Sequence, residues 1–138
     1  MSRLTLKNAK VEALELLQAL WPCIETTFRD MAIKQLAWRG EVHVDRTGAE
    51  KRLLDAVFVA EEDREVDEDG ELSYYGMTDG DMIWIERDLH YEQMIGTLIH
   101  EALHDCVFLV RPTRAVERRG LSCEFEHSVM ERLPVWGI

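Results

Sequence analysis

Between residues 82 and 110, apolar residues recur first at the spacing of a strand and then at the spacing of a helix. The run MIWIE at 82–86 is rich in β-branched and aromatic residues and is bounded by charges, which predicts a strand. Residues 88–110 then repeat apolar side chains at helical spacing, and Pro112 would stop such a helix because proline lacks a backbone N–H. The pattern predicts a strand that leads into a long amphipathic helix.

Shorter patterns flank this strand and helix. They predict helices at 7–20, 22–32 and about 122–133, a strand at 41–45, and either a strand or a buried helix end at 53–60. A chain of 138 residues without repeats or linkers suits one hydrophobic core. We therefore expect a single α+β domain spanning residues 1–138.

The composition argues against several classes of protein. The formal net charge is −11, and so acidic a surface resists nonspecific attraction to nucleic acid or anionic lipid. Three cysteines without a C-x-x-C pair indicate neither a disulfide framework nor a cysteine zinc knuckle. No apolar run is long enough to cross a bilayer, and the first residues lack the pattern of a signal peptide. We expect a cytoplasmic protein without a membrane or nucleic-acid partner.

The long predicted helix carries the pattern H-E-x-x-H at residues 100–104. On a helical wheel with about 100° per residue, the apolar residues of this helix fill a continuous arc. His100 and His104 fall side by side just past one edge of the arc, and Glu101 lies farther towards solvent. Both imidazoles therefore lie one turn apart at the margin between core and solvent, where a cleft wall would be.

This spacing suits a catalytic zinc ion. Two neutral imidazole nitrogens one turn apart can share Zn²⁺ and leave room for a third protein ligand and a water. Glu101 follows the first ligand directly, so its carboxylate could take a proton from that water and later protonate a leaving amine. Alternatively, these residues simply occupy the edge of an ordinary helix, which tolerates both His and Glu. The preceding strand and the uninterrupted apolar face favour the zinc site.

The stretch MIWIERDLHYEQMIGTLIHEALHD resembles the strand-to-helix portion of zincin metallopeptidases, in particular the small SprT-like and phage-encoded members. The resemblance covers roughly residues 72–133 and rests mainly on the pentapeptide and its context. It implies an edge strand, an active-site helix and a later helix that bears the third ligand. If the roles in this family are carried over to the matching positions, His100 and His104 would be zinc ligands and Glu101 would be the catalytic base. Asp105 departs from the family pattern, which prefers an uncharged residue, and could instead be a partner for a ligand histidine.

The third ligand is expected in the last predicted helix, SCEFEHSVMERL at 122–133. Apolar residues recur there at four-residue steps, and Glu126 lies beside this stripe, from where it could point into the cleft. The stretch EHSVMERL is also similar to zincins that use a downstream glutamate, so Glu126 is the favoured ligand. Glu124 and His127 remain alternatives, because SprT-like proteins use a downstream histidine.

These features predict a zinc-dependent peptidase. Its protein or peptide substrate would lie extended along the edge strand at 82–86. Tyr74 and Tyr75 precede that strand and could hydrogen-bond an oxyanion, although aromatic residues in such places more often pack. Two noncatalytic alternatives stay open. One is an acidic binding or inhibitory protein that mimics nucleic acid. The other is a zincin fold that keeps zinc for stability alone.

Overall fold

The computed structural model describes residues 3–66, 68–70, 74–111 and 118–134. Helices and small sheets combine within these ranges, so the predicted α+β class is confirmed. The segment 53–60, which the sequence left open, holds both the end of a helix and a short strand. In chain order the elements are α1 (Arg3–Leu36), β1 (Glu41–Val44), α2 (Arg46–Asp55), β2 (Val57–Phe58), a 3-10 turn (Glu61–Asp63), β3 (Gly76–Thr78), β4 (Ile83–Ile85), α3 (Tyr91–Leu103), β5 (Val107–Val110), β6 (Arg118–Gly120) and α4 (Cys123–Met130).

α1 runs unbroken through Pro22, where the sequence predicted a boundary between two helices. Proline removes one helical hydrogen bond and costs about 3 kcal/mol in a helix interior. Burying a large apolar side chain contributes about 1.5–3 kcal/mol, so one apolar face shared across the proline outweighs that cost. Four such side chains flank Pro22 and are at most 3% exposed: Leu17, Trp21, Ile24 and Phe28. Neither α1 nor another helix in the described part of the chain is long and apolar enough to cross a membrane.

The first sheet is antiparallel and has the strand order β1-β5-β6. The helix predicted over 88–110 is wrong in its last part. α3 ends at Leu103, and Val107–Val110 is β5, the central strand of this sheet. Asp105 has a φ of 59°, in the left-handed region, which an α-helix cannot continue through. The side chains of β5 then alternate between buried and half-buried. Such a short apolar run fits helical and strand periodicity alike, and pairing with β1 and β6 decides between them.

The second sheet has the strand order β2-β4-β3, in which β4 is parallel to β2 and antiparallel to β3. The strand predicted at 82–86 exists, but it lies in the centre of the sheet and not at its edge. Ile83 and Ile85 are accordingly fully buried. The edge beside α3 is β3, which approaches that helix closely at Gly76. A Cβ at this glycine would lie 2.7 Å from Cγ2 of Thr97.

The buried apolar side chains of all four helices form one cluster with residues of β4 and β5. α4 joins this cluster through Phe125, Val129 and Met130, and it also contacts α1. Ser122 caps this helix, since its Oγ accepts a hydrogen bond from the Phe125 N–H at 3.2 Å. This packing places the start of α4 next to the end of α3.

Candidate metal centre

Three histidine side chains converge where the end of α3 meets α4. His100 lies in the last turn of α3, His104 directly follows that helix, and His127 belongs to α4. Nε2 of His104 lies 3.1 Å from Nε2 of His100 and 3.0 Å from Nε2 of His127. One potential ligand nitrogen from each ring lies within 4.8 Å of the other two. The H-E-x-x-H pair thus gains a third histidine from another helix.

The spacing of these nitrogens fits a shared metal ion. With Zn–N bonds of about 2.0–2.1 Å, two tetrahedral ligands lie about 3.3 Å apart, close to the separations from Nε2 of His104 to the other two rings. Converging lone pairs repel one another unless the rings share a proton or a cation, and a divalent ion would satisfy all three at once. Three imidazoles also leave a fourth position for water or substrate, as in catalytic zinc sites. Imidazole ligands suit zinc, copper, nickel and iron alike.

Glu126 lies behind His104 and not beside the Nε2 atoms. Its Oε1 is 3.0 Å from Nδ1 of His104, and its Oε2 accepts a hydrogen bond from the Asp105 N–H at 2.8 Å. The favoured third ligand is therefore not a member of the cluster, whereas the alternative His127 is. Successive helical residues differ by about 100°, so His127 turns towards the Nε2 atoms of the cluster while Glu126 turns towards the core. Glu124, the other alternative, is exposed and lies outside the cluster.

Glu126 determines which nitrogen of His104 faces the cluster. Because an ionised carboxylate only accepts hydrogen bonds, this contact favours the tautomer in which Nδ1 of His104 carries the proton and Nε2 presents its lone pair. Ligand histidines commonly donate their second N–H to a carboxylate, which orients the ring and increases its basicity. The sequence suggested Asp105 as the carboxylate partner of a ligand histidine. In the structure Glu126, which is 2% exposed, contacts the ring of His104.

The backbone of His104 is also held in place. Arg52 of α2 is buried, and its Nη2 donates to the carbonyl oxygens of Ala102 at 2.8 Å and His104 at 3.0 Å. Carbonyl groups at the end of a helix lack partners within the helix. A cation at this negative end of the helix dipole is also favourable. Arg52 therefore fixes the point where the chain leaves α3, a role that sequence spacing does not indicate.

The two histidines of the H-E-x-x-H pattern have opposite pKa shifts. Burial, together with His104 and His127, lowers the pKa of His100 to about 4. Burial also acts to lower the pKa of His104, but the hydrogen bond and charge of Glu126, with two further carboxylates, raise it overall. His100 is therefore neutral, and able to bind a metal, across the physiological pH range. Glu126 makes His104 the more basic ligand.

A cavity of about 300 Å³ lies beside the cluster. Glu101 is only 8% exposed, although the helical wheel placed it towards solvent. Burial raises the pKa of Glu101, and the opposing effect of His104 does not cancel this rise. A carboxyl group with a raised pKa exchanges protons closer to neutral pH, as a general base requires. The cavity is lined by residues 74–76 on one side and by Gly96, Thr97, His100 and Glu101 of α3 on the other.

Comparisons of this chain with protein-family models, with curated proteins and with solved structures give no match. His100, His104 and His127 lie close enough together to bind one metal ion.

Proposed function

We propose that this protein is a zinc-dependent peptidase of the minimal zincin type, which cleaves peptide bonds in a protein or peptide substrate. The observation that carries the proposal is the convergence of His100, His104 and His127 next to a cavity lined by Glu101. Catalytic zinc sites combine three protein ligands with an open position, and a nearby carboxylate can act as their base. An H-E-x-x-H pattern at the end of α3, with a third histidine on the later helix α4, supports the zincin assignment.

Each residue has a defined part in this proposal. When bound, zinc would polarise the scissile carbonyl and lower the pKa of the attacking water. Glu101 accepts a proton from that water at its carboxylate and passes it to the nitrogen of the leaving amine as the peptide bond breaks. The three histidines hold the ion, and Glu126 keeps the ring of His104 oriented towards it.

β3 is the strand best placed to bind an extended substrate. Among the described strands it pairs only with β4, so within the described residues its second edge has no strand partner, and its first residue, Gly76, lines the cavity. A peptide can add to such an edge through backbone hydrogen bonds. Tyr75 and Met77, which are 48% and 43% exposed, give this edge an apolar surface. The proposed substrate strand is therefore β3 instead of β4, and substrates with apolar side chains are favoured.

The test compares Glu101→Gln with the wild type after both are loaded with zinc. Glutamine keeps the shape of the side chain but cannot accept the proton. We expect full zinc occupancy and about 10²–10⁴-fold slower cleavage. Zinc is measured by atomic absorption, and cleavage by the release of fluorescent peptides from labelled casein.

Glu124→Gln is the matched control, because Glu124 is exposed on α4 and lies outside the cluster. This variant should cleave casein like the wild type. Unchanged cleavage by Glu101→Gln contradicts the proposal.

One contact favours a second candidate, a structural zinc site. Sγ of Cys123 lies 3.8 Å from Nε2 of His127. With Zn–S of about 2.3 Å and Zn–N of about 2.0–2.1 Å, the two ligand atoms of a tetrahedral site lie about 3.6 Å apart. Cys123 is not a member of the three-histidine group, so its side chain would have to turn towards that group before a thiolate could close the open position. Zinc would then serve stability alone. In this candidate the wild type and Glu101→Gln both bind zinc and neither cleaves casein.

A further inference from the structure

A second cavity, of about 820 Å³, lies between the start of α1, the end of α2 and strand β2. It shares no lining residue with the cavity beside the histidines. Its wall contains three exposed aliphatic side chains, since Val11, Leu54 and Val57 are 49%, 47% and 41% exposed. Aliphatic groups clustered in a concave surface are typical of a binding site.

Three cationic side chains surround this aliphatic wall. Lys7, Lys10 and Arg87 all line the cavity, although the whole chain has a formal net charge of −11. Nζ of Lys10 donates to the carbonyl oxygen of Leu54 at 2.8 Å, and Nη2 of Arg87 donates to that of Val59 at 3.1 Å. Lysine has three donors and arginine has five, so these bonds hold the two cations in place and leave donors for a ligand.

Acidic neighbours offset this positive charge only in part. The negative charge of Asp55 attracts the ammonium group of Lys10. Oε2 of Glu61 lies 3.4 Å from Nη1 of Arg87. Glu61 is 69% exposed, so water and salt screen its charge. Nε of Arg87 is buried and has no hydrogen-bond partner within the described residues. The cavity therefore keeps a cationic rim beside an aliphatic wall.

We propose that this cavity binds a small amphipathic anion, namely a carboxylate on an unbranched aliphatic chain. The aliphatic chain lies against Val11, Leu54 and Val57, and the carboxylate receives hydrogen bonds from the cationic rim. The cavity falls within the range of about 300–1,000 Å³ that small-ligand sites occupy. This site is independent of the proposed zinc chemistry.

Two other occupants fit the cavity less well. β2 is only two residues long, so a peptide would find too little strand edge for backbone pairing. A second copy of the chain in a two-fold contact would bring the cationic rim against its own image. Juxtaposed like charges at an interface are unfavourable.

Calorimetric titration of the full chain with decanoate tests this proposal. We expect one site per chain and about tenfold weaker binding by Lys7→Glu/Lys10→Glu, because two attractive charges become repulsive. Leu54→Glu, which puts a negative charge in the aliphatic wall, should also bind at least about tenfold more weakly. Lys34→Glu/Lys51→Glu makes the same double charge change at exposed lysines outside the cavity and should bind like the wild type.

Decylammonium has the same chain length as decanoate and the opposite charge, so it should bind at least about tenfold more weakly. Absence of decanoate binding at millimolar concentration overturns the proposal. Equal binding of both amphiphiles, or unchanged binding by both cavity variants, overturns it too. Sedimentation of the wild type should give a monomer. A dimer that Leu54→Glu dissociates would show that a second copy covers the cavity, which also overturns the proposal.

Discussion

His104 is held at three points, and each contact has a different chemical origin. Its Nδ1 faces the carboxylate of Glu126, its Nε2 faces the other two histidines, and its carbonyl oxygen accepts from Arg52. The ring and the backbone are therefore fixed by contacts within the protein itself. A ligand placed in this way loses little side-chain freedom when a metal ion binds.

Glu126→Gln tests the orienting contact. The glutamine oxygen can accept one of the two hydrogen bonds that Glu126 accepts. Its NH₂ group would then face the other N–H, either that of the His104 ring or that of the Asp105 backbone, and this donor would lose its acceptor. We expect about 10–100-fold weaker zinc binding. The free energy of unfolding should fall by about 1–3 kcal/mol, because a buried donor is left unpaired. Competition with a chromophoric chelator measures the affinity, and urea denaturation measures the stability.

Glu124→Gln, the same change at an exposed position of α4, should alter neither quantity. If Glu126→Gln lost zinc as completely as His127→Ala, Glu126 would be a ligand and the proposed division of roles would be wrong. Wild-type affinity in Glu126→Gln would show that the hydrogen bond to His104 contributes nothing to metal binding.

Among the helices, α1 contains the least favourable residue for its position. Pro22 is exposed, so Pro22→Ala should restore a helical hydrogen bond without losing packing. Greater freedom of the unfolded chain offsets about 0.4–1 kcal/mol of this gain. We expect the free energy of unfolding to rise by about 2–2.6 kcal/mol. Thermal denaturation at several denaturant concentrations measures the change.

Thr26→Ala is the control, because Thr26 is another exposed position of α1. This variant measures the general helix propensity of alanine, and its free energy of unfolding should rise by only about 0.5 kcal/mol. A Pro22→Ala variant no more stable than Thr26→Ala would mean that the native helix has already relaxed around the proline.

The sequence predicts those parts of the site that depend on one element alone. His100 and His104 lie one turn apart, so local periodicity places their rings side by side. His127 joins them only because Phe125 and Val129 are buried and fix the rotation of α4. That rotation is a long-range property, and the local pattern within 122–133 favoured Glu126 over His127.

The same distinction between local and long-range causes explains where the fold differs from the sequence predictions. Residues 82–86 are recognisable as a strand from composition, but whether a strand is central or at an edge depends on its partners. Val107–Val110 satisfies both helical and strand periodicity, and pairing with β1 decides its structure. Pro22 predicts a helix end locally, and the apolar face shared across it overrides that prediction.

At the scale of the whole molecule, the histidine cluster and the hydrophobic core are largely separate. The cluster joins the end of α3 to α4, whereas the core extends through all four helices and both β4 and β5. α4 is already attached to this core by Phe125, Val129 and Met130. The fold should therefore not depend on the metal for its existence, unlike small zinc domains that have no comparable core.

Removal of zinc by a chelator should consequently destabilise the protein without unfolding it. Zinc present at about 1,000 times its dissociation constant stabilises the native state by about 4 kcal/mol. For a domain of this size that corresponds to a melting temperature lower by about 10–20 °C after chelation. The far-ultraviolet circular dichroism at room temperature should stay helical. If chelation instead unfolds the chain, and Cys123→Ser weakens zinc binding as strongly as His127→Ala, the ion has four protein ligands. No position would then remain for water or substrate, and Glu101 would have no substrate water to act on.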